Sequence, residues 1–172
     1  DLKLGILYMG VESGDDVVLR RIIKGATHPE MVEAAGKVRE AGILLSMTVI
    51  LGLGGVQGSH QHAMETARIL SEMDPDYAGA LTLTLIPGTP LYQEWEKGEF
   101  ELITPFDSLK ELRAMVEHAN FSDCFFSSMH ASNYFAIRGS LPADRRKMLA
   151  QLDSILSKKD PALLRPEFLR GL

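Results

Sequence analysis

Three short apolar runs, separated by segments of helical periodicity, limit the possible folds of this chain more than any other feature. The runs cover residues 2–9, 43–51 and 78–86. Runs of this length are typical of strands that are buried on both faces, and the amphipathic segments between them are typical of crossover helices. The alternation predicts an α/β fold in which the three runs form neighbouring parallel strands.

Helices are predicted wherever apolar residues recur at helical spacing. The predicted helices cover residues 15–24, 29–41, 59–73, 91–97, 107–120 and 142–158. Gly42 can end the second of these helices, and Ser59 can cap the third. A further strand-like run covers residues 121–127. We therefore divide the chain into an α/β part, residues 1–128, and a helical C-terminal extension, residues 129–172.

Composition and charge exclude several classes of protein. A formal net charge of -5 gives no broad basic surface, so a nucleic acid partner is not expected. No apolar run approaches the roughly 20 residues that a membrane span needs. The single cysteine, Cys124, rules out an internal disulfide and fits a reducing, cytoplasmic location. His60 and His62 do not share a helix face, so we expect no metal site.

The first predicted strand ends in the segment GVESGDD, which contains Glu12 and Ser13. Ligands of parallel α/β proteins bind at the loops after the carboxyl ends of the strands, so both residues stand at the mouth of an expected site. A carboxylate such as Glu12 can accept both hydrogen bonds of a ribose diol. Alternatively, Ser13 and Asp15 serve only to cap the helix that follows.

Lys24 lies at the end of the first predicted helix, where a cation stabilises the helix dipole without any ligand. One crossover helix is enough to join two parallel strands, and here two are predicted. The first helix is therefore free to lie across the mouth of the site. In that position it would bring Lys24 towards a ligand that carries a carboxylate.

A glycine-rich turn, GLGGVQGS, follows the second predicted strand. It is not a Walker loop, because no Gly-Lys-Ser/Thr follows, and a glutamine replaces the third glycine of the dinucleotide fingerprint. The turn is either merely flexible, or it lets a flat ring approach the backbone at Gly52, Leu53 and Gly54. Thr48, within the strand, is either a polar group near that mouth or simply a residue that favours strands.

Two later segments carry candidates for contact with a substrate. The turn PGTP fixes its backbone with two prolines and presents Thr89 at the end of the third run, unless it only starts a helix. His130, Asn133 and Arg138 follow the last strand-like run. We expect these three side chains near the same rim; the alternative is that they only decorate the surface.

The segments GVESGDDVVLRRIIKG, TVILGLGG and LIPGTPLY, in this order and at these spacings, resemble the later strands of the radical S-adenosylmethionine (SAM) superfamily barrel. The resemblance covers about residues 2–97. It implies a partial TIM-like α/β barrel that contains the later strands only. It also implies a parent enzyme, an oxidoreductase or transferase, that reduces SAM at a 4Fe-4S cluster and uses a deoxyadenosyl radical to abstract hydrogen from a substrate.

The resemblance also implies roles for individual residues. Glu12 falls where the family has a polar residue facing the SAM ribose or methionyl moiety, and Lys24 falls where a related branch has a basic residue that pairs with the SAM carboxylate. Thr48 matches a polar position on the fifth barrel strand. The Gly52–Gly54 turn matches the loop against the adenine, although the family often has proline at its third residue. Thr89 would lie at the end of the sixth strand.

The CxxxCxxC loop of the family, which supplies three thiolates to the cluster, is absent from this sequence, and Cys124 cannot replace it. The cluster ligands and the electron donor therefore lie outside the chain, whose missing strands were removed or belong to another polypeptide. We assign the chain no catalytic residue and no metal ligand, and expect it to be catalytically silent alone. Without earlier strands, its first strand is expected to expose an edge that invites self-association.

Two other classes of function remain open from the sequence. An aldolase-like or phosphate-binding barrel lyase would use a strand-borne lysine or a metal. The three runs offer only Lys3, which lies near the start of its strand and so at the wrong end. A noncatalytic interaction module is the other alternative. The sequence names no substrate and no reaction product.

Overall fold

A mostly parallel sheet forms the centre of the molecule, and the computed structural model describes residues 3–171. The strands of the described residues are β1 (Ile6–Glu12), β2 (Leu44–Leu51), β3 (Tyr77–Thr82), β4 (Cys124–Ser127) and β5 (Arg138–Leu141). They lie side by side in chain order. β1 to β4 are parallel, and β5 pairs antiparallel with β4. The predicted α/β fold with three neighbouring parallel strands is confirmed; Leu2, the predicted first residue of the first run, lies outside the described residues.

Helices cover one face of the sheet. The α-helices of the described residues are α1 (Asp16–Arg21), α2 (His28–Glu40), α3 (Gly55–Met73), α4 (Pro90–Glu96), α5 (Pro105–His118) and α6 (Arg145–Lys158). Helices α2, α3, α5 and α6 pack against one another and against the sheet. Within residues 3–171, no helix is long and apolar enough to cross a membrane.

Side chains alternate between a helix-covered and an uncovered face of the sheet. Met47, Ala80 and Phe126 are among those that are fully buried on the covered face. On the other face, Tyr8 is 75% exposed and Phe125 is 42% exposed. The strand register places Tyr8, Ser46, Tyr77 and Phe125 in one row across four strands. An apolar surface therefore remains on the face that carries no helix.

The third strand is shorter than the predicted run, because it ends at Thr82 and not at Ile86. The amide of Leu83 still donates to the carbonyl of Leu51 in β2 at 3.0 Å, whereas the amide of Thr82, on the other side of the strand, donates to the hydroxyl of Ser132 at 3.1 Å. Helix α3 begins at Gly55, four residues before the predicted start at Ser59. The hydroxyl of Ser59 does not cap the helix but donates to Glu111 at 2.6 Å.

The C-terminal segment, residues 129–172, contributes more than helices. Arg138 opens β5, where the sequence predicted only a loop. The strand has only four residues, RGSL, of which one is charged and one is glycine. It is therefore too short to show the alternation of apolar and polar residues that is typical of longer strands. Helix α6 packs against α5. The extension therefore adds an edge strand and a covering helix to the sheet.

Candidate functional site

The carboxyl ends of β1 to β4 meet at one edge of the sheet, which we call the rim, because these strands are parallel. Glu12 ends β1, the Gly52 turn follows β2, and Leu83 follows β3. Ligands of α/β sheets bind at this edge. Of the predicted site residues, only those that reach the rim can contact such a ligand.

Glu12 and Lys24 form an ion pair at the end of β1. The Lys24 Nζ and Glu12 Oε1 atoms are 3.1 Å apart, and each side chain is 24% exposed. The register of β1 shifts between Gly10 and Glu12, and Glu12 has a φ of 65°. A Cβ atom at Gly10 would collide with the Glu12 carboxylate. The bulge directs the Glu12 carboxylate over the strand, and the absence of a side chain at Gly10 leaves room for it there. In this position the carboxylate pairs with Lys24.

Helix α1 closes over this end of the sheet. Arg21, at its last turn, forms an ion pair of 2.5 Å with Glu94 of α4, and its guanidinium lies 4.9 Å from the centre of the Phe100 ring. Together with Lys24, Arg21 ties the end of α1 to the ends of β1 and α4. This matches the position that the pair of consecutive crossover helices predicted for α1.

Ser13 points into the protein and not towards the rim. Its side chain is fully buried, and its hydroxyl donates to Nδ1 of His62 at 2.8 Å. The same hydroxyl accepts the amide of Asp15 at 3.0 Å. Asp15 caps α1 by accepting the amide of Val17. Ser13 therefore links two elements of the fold, and only Asp15 is the helix cap.

The glycine turn after β2 needs its glycines for backbone and packing reasons. Gly52 has a φ of 89° and Gly55 a φ of 62°, values that other residues rarely adopt. A Cβ at Gly54 would lie 2.8 Å from the carbonyl oxygen of Gly58. Protein atoms thus fill the space beside Gly54. Leu53 instead packs in a small apolar cluster at the rim.

An apolar cleft of about 290 Å³ opens between the ends of β2 and β3. Ile50 and Leu53 line one part of it, and residues 83–86 line another. Thr89 also lines the cleft, but its hydroxyl donates to the carbonyl of Ile86 and accepts the amide of Tyr92. Thr89 is therefore the cap of α4, seven residues beyond the end of β3.

Thr48 lies on the uncovered face of the sheet. In the strand register it stands between Gly10 and Gly79, in a row that continues to Ser127 and Arg138. These residues are small except for Arg138, which is exposed at the far end of the row. The row leaves open space along the sheet, with the Glu12–Lys24 pair at one end and Arg138 at the other.

Asn133 is buried in the loop between β4 and β5. Its amide nitrogen donates to the main-chain carbonyls of Ala80 and Ser128 at 2.8 and 2.7 Å. Its amide oxygen accepts the hydroxyl of Thr82 at 2.7 Å. His130 lies in the same loop, half-buried. The side chain of Asn133 therefore fixes the loop to the end of β3, and Arg138 is the most exposed of the three candidates in this segment.

A buried carboxylate that the sequence analysis missed lies behind the glycine turn. Glu111 of α5 is 1% exposed; its Oε2 accepts the amide of Gly52 at 2.7 Å, and its Oε1 accepts the hydroxyl of Ser59. Burial raises the pKa of Glu111 to about 7, although both hydrogen bonds act to lower it. The signal in the sequence was a glutamate that falls beside Leu112 and Met115 on the apolar face of its helix.

His62 of α3 lies next to this carboxylate. Its Nε2 donates to the carbonyl of Ile50 at 3.0 Å and is 3.8 Å from Oε2 of Glu111. Since a carbonyl can only accept, the proton is on Nε2, and Nδ1 accepts the hydroxyl of Ser13. Burial lowers the pKa of His62 to about 4, so the ring is neutral. His62 thus connects the ends of β1 and β2.

The residues that the structure describes do not fit an iron-sulfur cluster. Among residues 3–171, no group of three histidine, cysteine or acidic side chains is placed to hold a metal ion. Cys124 is fully buried in β4. Burial, together with nearby carboxylates such as Asp74, raises the pKa of its thiol to about 12. A thiol of this kind is not a ready source of the thiolate that a cluster needs.

Comparison with known proteins gives relatives of greater length. No family model matches the chain. An uncharacterised protein of Methanocaldococcus jannaschii is 28% identical over 110 residues, which cover 64% of this chain and 34% of that protein. The tRNA-2-methylthio-N(6)-dimethylallyladenosine synthase of Thermus thermophilus is 30% identical over 92 residues, which cover 52% of this chain and 19% of the synthase.

A solved structure extends the comparison to almost the whole chain. Archaeal Elp3 of Methanocaldococcus infernus, with an N-terminal deletion, has a TM-score of 0.60 and 16% sequence identity, over 90% of this chain and 36% of its own. Elp3 and the synthase are both related to radical SAM proteins. The chain has the fold of the later part of a radical SAM barrel. The resemblance that the three ordered motifs predicted is thereby confirmed, and the chain spans 19% to 36% of the length of these relatives.

This part of a radical SAM fold offers two unlike surfaces at one rim. The Glu12–Lys24 pair supplies charge at the end of β1. The cleft between Leu53 and residues 83–86 supplies apolar walls at the ends of β2 and β3. A ligand with a flat, weakly polar part and a charged tail matches such a rim.

Proposed function

We propose that this chain supplies the SAM-binding and substrate-facing rim of a radical SAM enzyme. The observation that carries the proposal is the combination, at the carboxyl ends of β1 to β3, of the Glu12–Lys24 pair with an apolar cleft of about 290 Å³. The fold shared with Elp3 supports it. The substrate and the overall reaction stay open.

The apolar cleft is suited to the adenine of SAM. Ile50 and Leu53 offer aliphatic side chains to the faces of a flat ring, and the backbone of residues 83–86 passes along the same cleft. Binding sites for small molecules are typically apolar with a few polar groups that fix orientation. Thr84, in the wall of the cleft, supplies such a group.

The charged pair is suited to the methionyl and ribose parts of SAM. Lys24 can donate to the SAM carboxylate, while Glu12 can accept hydrogen bonds from the ribose hydroxyls or from the ammonium group. Both side chains are partly exposed, so each contact contributes about 1 kcal/mol or less. These residues orient SAM, but they give only weak affinity by themselves.

The 4Fe-4S cluster has to be held by residues outside this chain, since one cysteine cannot supply three thiolates. A cluster held there would supply a further anchor for SAM and the one-electron chemistry of the parent enzyme, fed by an external donor. The contribution of this chain is placement of SAM and exclusion of water. Alone, it is catalytically silent.

Arg138 is the best placed of the proposed substrate contacts. It lies at the far end of the open row on the uncovered face, which begins beside the Glu12–Lys24 pair. A guanidinium in this position can bind a carboxylate or phosphate of a substrate that lies along the row. Replacing Arg138 by alanine in the full-length enzyme should impair product formation while SAM affinity stays unchanged.

Substitutions of the charged pair test the proposed SAM site. In the full-length protein, reconstituted anaerobically, Glu12→Ala and Lys24→Ala should each weaken SAM binding several-fold, as expected for the loss of about 1 kcal/mol. Iron content should stay unchanged, because neither residue is a cluster ligand. Glu33→Ala, at an exposed site on α2, is the matched control. Unchanged SAM affinity in both variants would refute the assignment of this pair.

A further inference from the structure

One carboxylate from α5 connects the first residue of the turn that follows β2 with the helix α3 beyond it. Glu111 Oε2 accepts the amide of Gly52, the first residue of the turn, at 2.7 Å. Its Oε1 accepts the hydroxyl of Ser59, in the first part of α3, at 2.6 Å. Between these two points lies Leu53, a wall of the apolar cleft. The position of the turn therefore depends on a side chain that lies outside the cleft.

Helix α5 holds this carboxylate in a fixed place. Thr104 and Asp107 form a capping box at its start, and Leu112 and Met115 are fully buried beside Glu111. Inside the turn the amide of Gly55 donates to the carbonyl of Gly52 at 3.0 Å, but this bond does not tie the turn to α5. Because glycine loses more conformational freedom on folding than any other residue, an external anchor at Gly52 helps to select one conformation.

We propose that Glu111 is the positioning residue of the glycine turn: by holding the Gly52 amide it sets the Leu53 wall against which SAM binds. The inference rests on the proposed function for the identity of the ligand. The anchoring of Gly52 itself is a property of the chain and can be measured without SAM.

The protonation state of Glu111 alters one of its two contacts more than the other. The titratable groups that face it are His62 from α3, which is neutral, and Asp107 on its own helix. The hydroxyl of Ser59 can rotate and accept a proton from a neutral Glu111, whereas the amide of Gly52 can only donate. A hydrogen bond to an ionised acceptor is roughly twice as strong as a neutral one. Ionisation of Glu111 therefore tightens the bond to Gly52.

The Gly52 amide provides a direct readout of this contact. In the full-length protein without SAM, we expect its proton chemical shift to titrate with pH near the pKa of Glu111, about 7. Glu111→Gln should abolish this titration, because the amide oxygen still accepts from Gly52 but carries no charge. Glu117→Gln, on the exposed side of the same helix, is the matched control and should titrate like the wild type.

SAM affinity tests the consequence for the ligand. Glutamine can accept from Gly52 and donate to Ser59, so Glu111→Gln should keep SAM affinity within about twofold of the wild type. Glu111→Leu removes both contacts and should lower the affinity roughly tenfold, at unchanged iron content. Ser59→Ala, which removes one contact, provides a milder variant and should lie between the two.

The outcomes separate this inference from the proposed function. A Gly52 shift that is independent of pH, or that titrates equally in Glu111→Gln, would overturn the positioning role. Full SAM affinity in a folded Glu111→Leu variant would overturn it as well. A wild-type protein that binds no SAM would instead refute the proposed function, while the amide titration would still decide whether Glu111 holds the turn.

Discussion

His62 and Glu111 give the core two buried titratable groups whose effects on stability oppose each other. The pKa of His62 falls from 6.5 to about 4, so its contribution is present above pH 6.5 and is lost as the pH falls towards 4. The pKa of Glu111 rises from 4.5 to about 7, so its contribution is present below pH 4.5 and is lost as the pH rises towards 7. Between pH 4.5 and 6.5, the contributions of His62 and Glu111 to the free energy of unfolding change with pH in opposite directions and offset each other.

Removing one of the two groups should reveal how the free energy of unfolding depends on pH through the other group alone. We expect the free energy of unfolding of the wild type to change little between pH 4.5 and 6.5. In Glu111→Gln, His62 is the one member of this pair that still titrates, so its contribution to stability should fall by about 3 kcal/mol between pH 6.5 and pH 4. Urea unfolding across this range measures the effect, with Glu117→Gln as the control. Parallel pH profiles of the wild type and Glu111→Gln would contradict the opposing contributions of the two groups to stability.

Single residues at the rim were predictable only where the local sequence decides their surroundings. The end of β1 placed Glu12 at the rim, and the two consecutive helices pointed Lys24 towards it. The sequence could not reveal that Ser13 bonds to His62, because these residues lie 49 positions apart and meet only through packing. For the same reason, the sequence, which predicted Asn133 near the rim, could not reveal that its amide is buried and bonds to Ala80 of β3.

The C-terminal tail is attached to the strands and loops by several contacts, of which Arg170 makes the most hydrogen bonds; Arg165 donates to the loop between β4 and β5 as well. Arg170 has five N–H donors, and all five are used: they bond to Ser132 O, Tyr134 OH, Glu167 Oε1, Leu83 O and Thr84 Oγ1. The guanidinium also lies 4.2 Å from the centre of the Tyr134 ring. The tail is thereby joined to the end of β3 and to the loop between β4 and β5.

Replacing Arg170 tests this attachment. Lysine carries a single nitrogen with three donors and cannot reproduce the planar fork, so Arg170→Lys should destabilise the chain by about 2 kcal/mol. Arg146→Lys, at an exposed position of α6, should change stability by less than about 0.5 kcal/mol. Urea unfolding of both variants provides the comparison. Equal stability of the two variants would show that the tail is held by other contacts.

The longer elements followed from sequence periodicity and the short ones did not. β1 to β3 have an apolar pattern long enough to be recognised, and Gly42 ended its helix as predicted, with a φ of 69°. β5 has only four residues and pairs at the edge of the sheet, so its burial depends on α6. The apolar run of β3 continues past Thr82 in sequence, but the strand ends there, and the amide of Thr82 bonds to Ser132, which lies 50 positions away and could not be foreseen.

At the scale of the whole molecule, two surfaces of the described residues are unpaired: the uncovered face of the sheet and the edge of β1. In a complete radical SAM barrel, further strands would pair with this edge and close the sheet around this face. Within residues 3–171, β1 is the outermost strand on its side of the sheet, and Tyr8 on it is 75% exposed. The tail, through Arg170, bonds to the end of β3, and among residues 3–171 only β2 pairs with β1. An exposed strand edge beside apolar side chains favours association with another chain.

Sedimentation velocity of the isolated chain should therefore show self-association that increases with concentration. Tyr8→Lys places a charge on the open edge and should shift the chain towards the monomer. Phe168→Lys replaces an aromatic residue in the tail that is at least as exposed, at 84%, and should leave the association unchanged. A wild-type chain that stays monomeric at all concentrations would contradict the open edge.

The central claim, that this chain supplies a SAM-binding rim while the cluster ligands lie elsewhere, is tested most directly by anaerobic reconstitution. The 172-residue chain is compared with a version extended to include a CxxxCxxC segment of its parent. We predict that the extended protein binds iron and cleaves SAM reductively, and that the chain alone does neither, because a cluster needs three thiolates and the chain has one cysteine. Cluster formation by the chain alone, or an extended protein that binds a cluster but does not cleave SAM, would contradict the account.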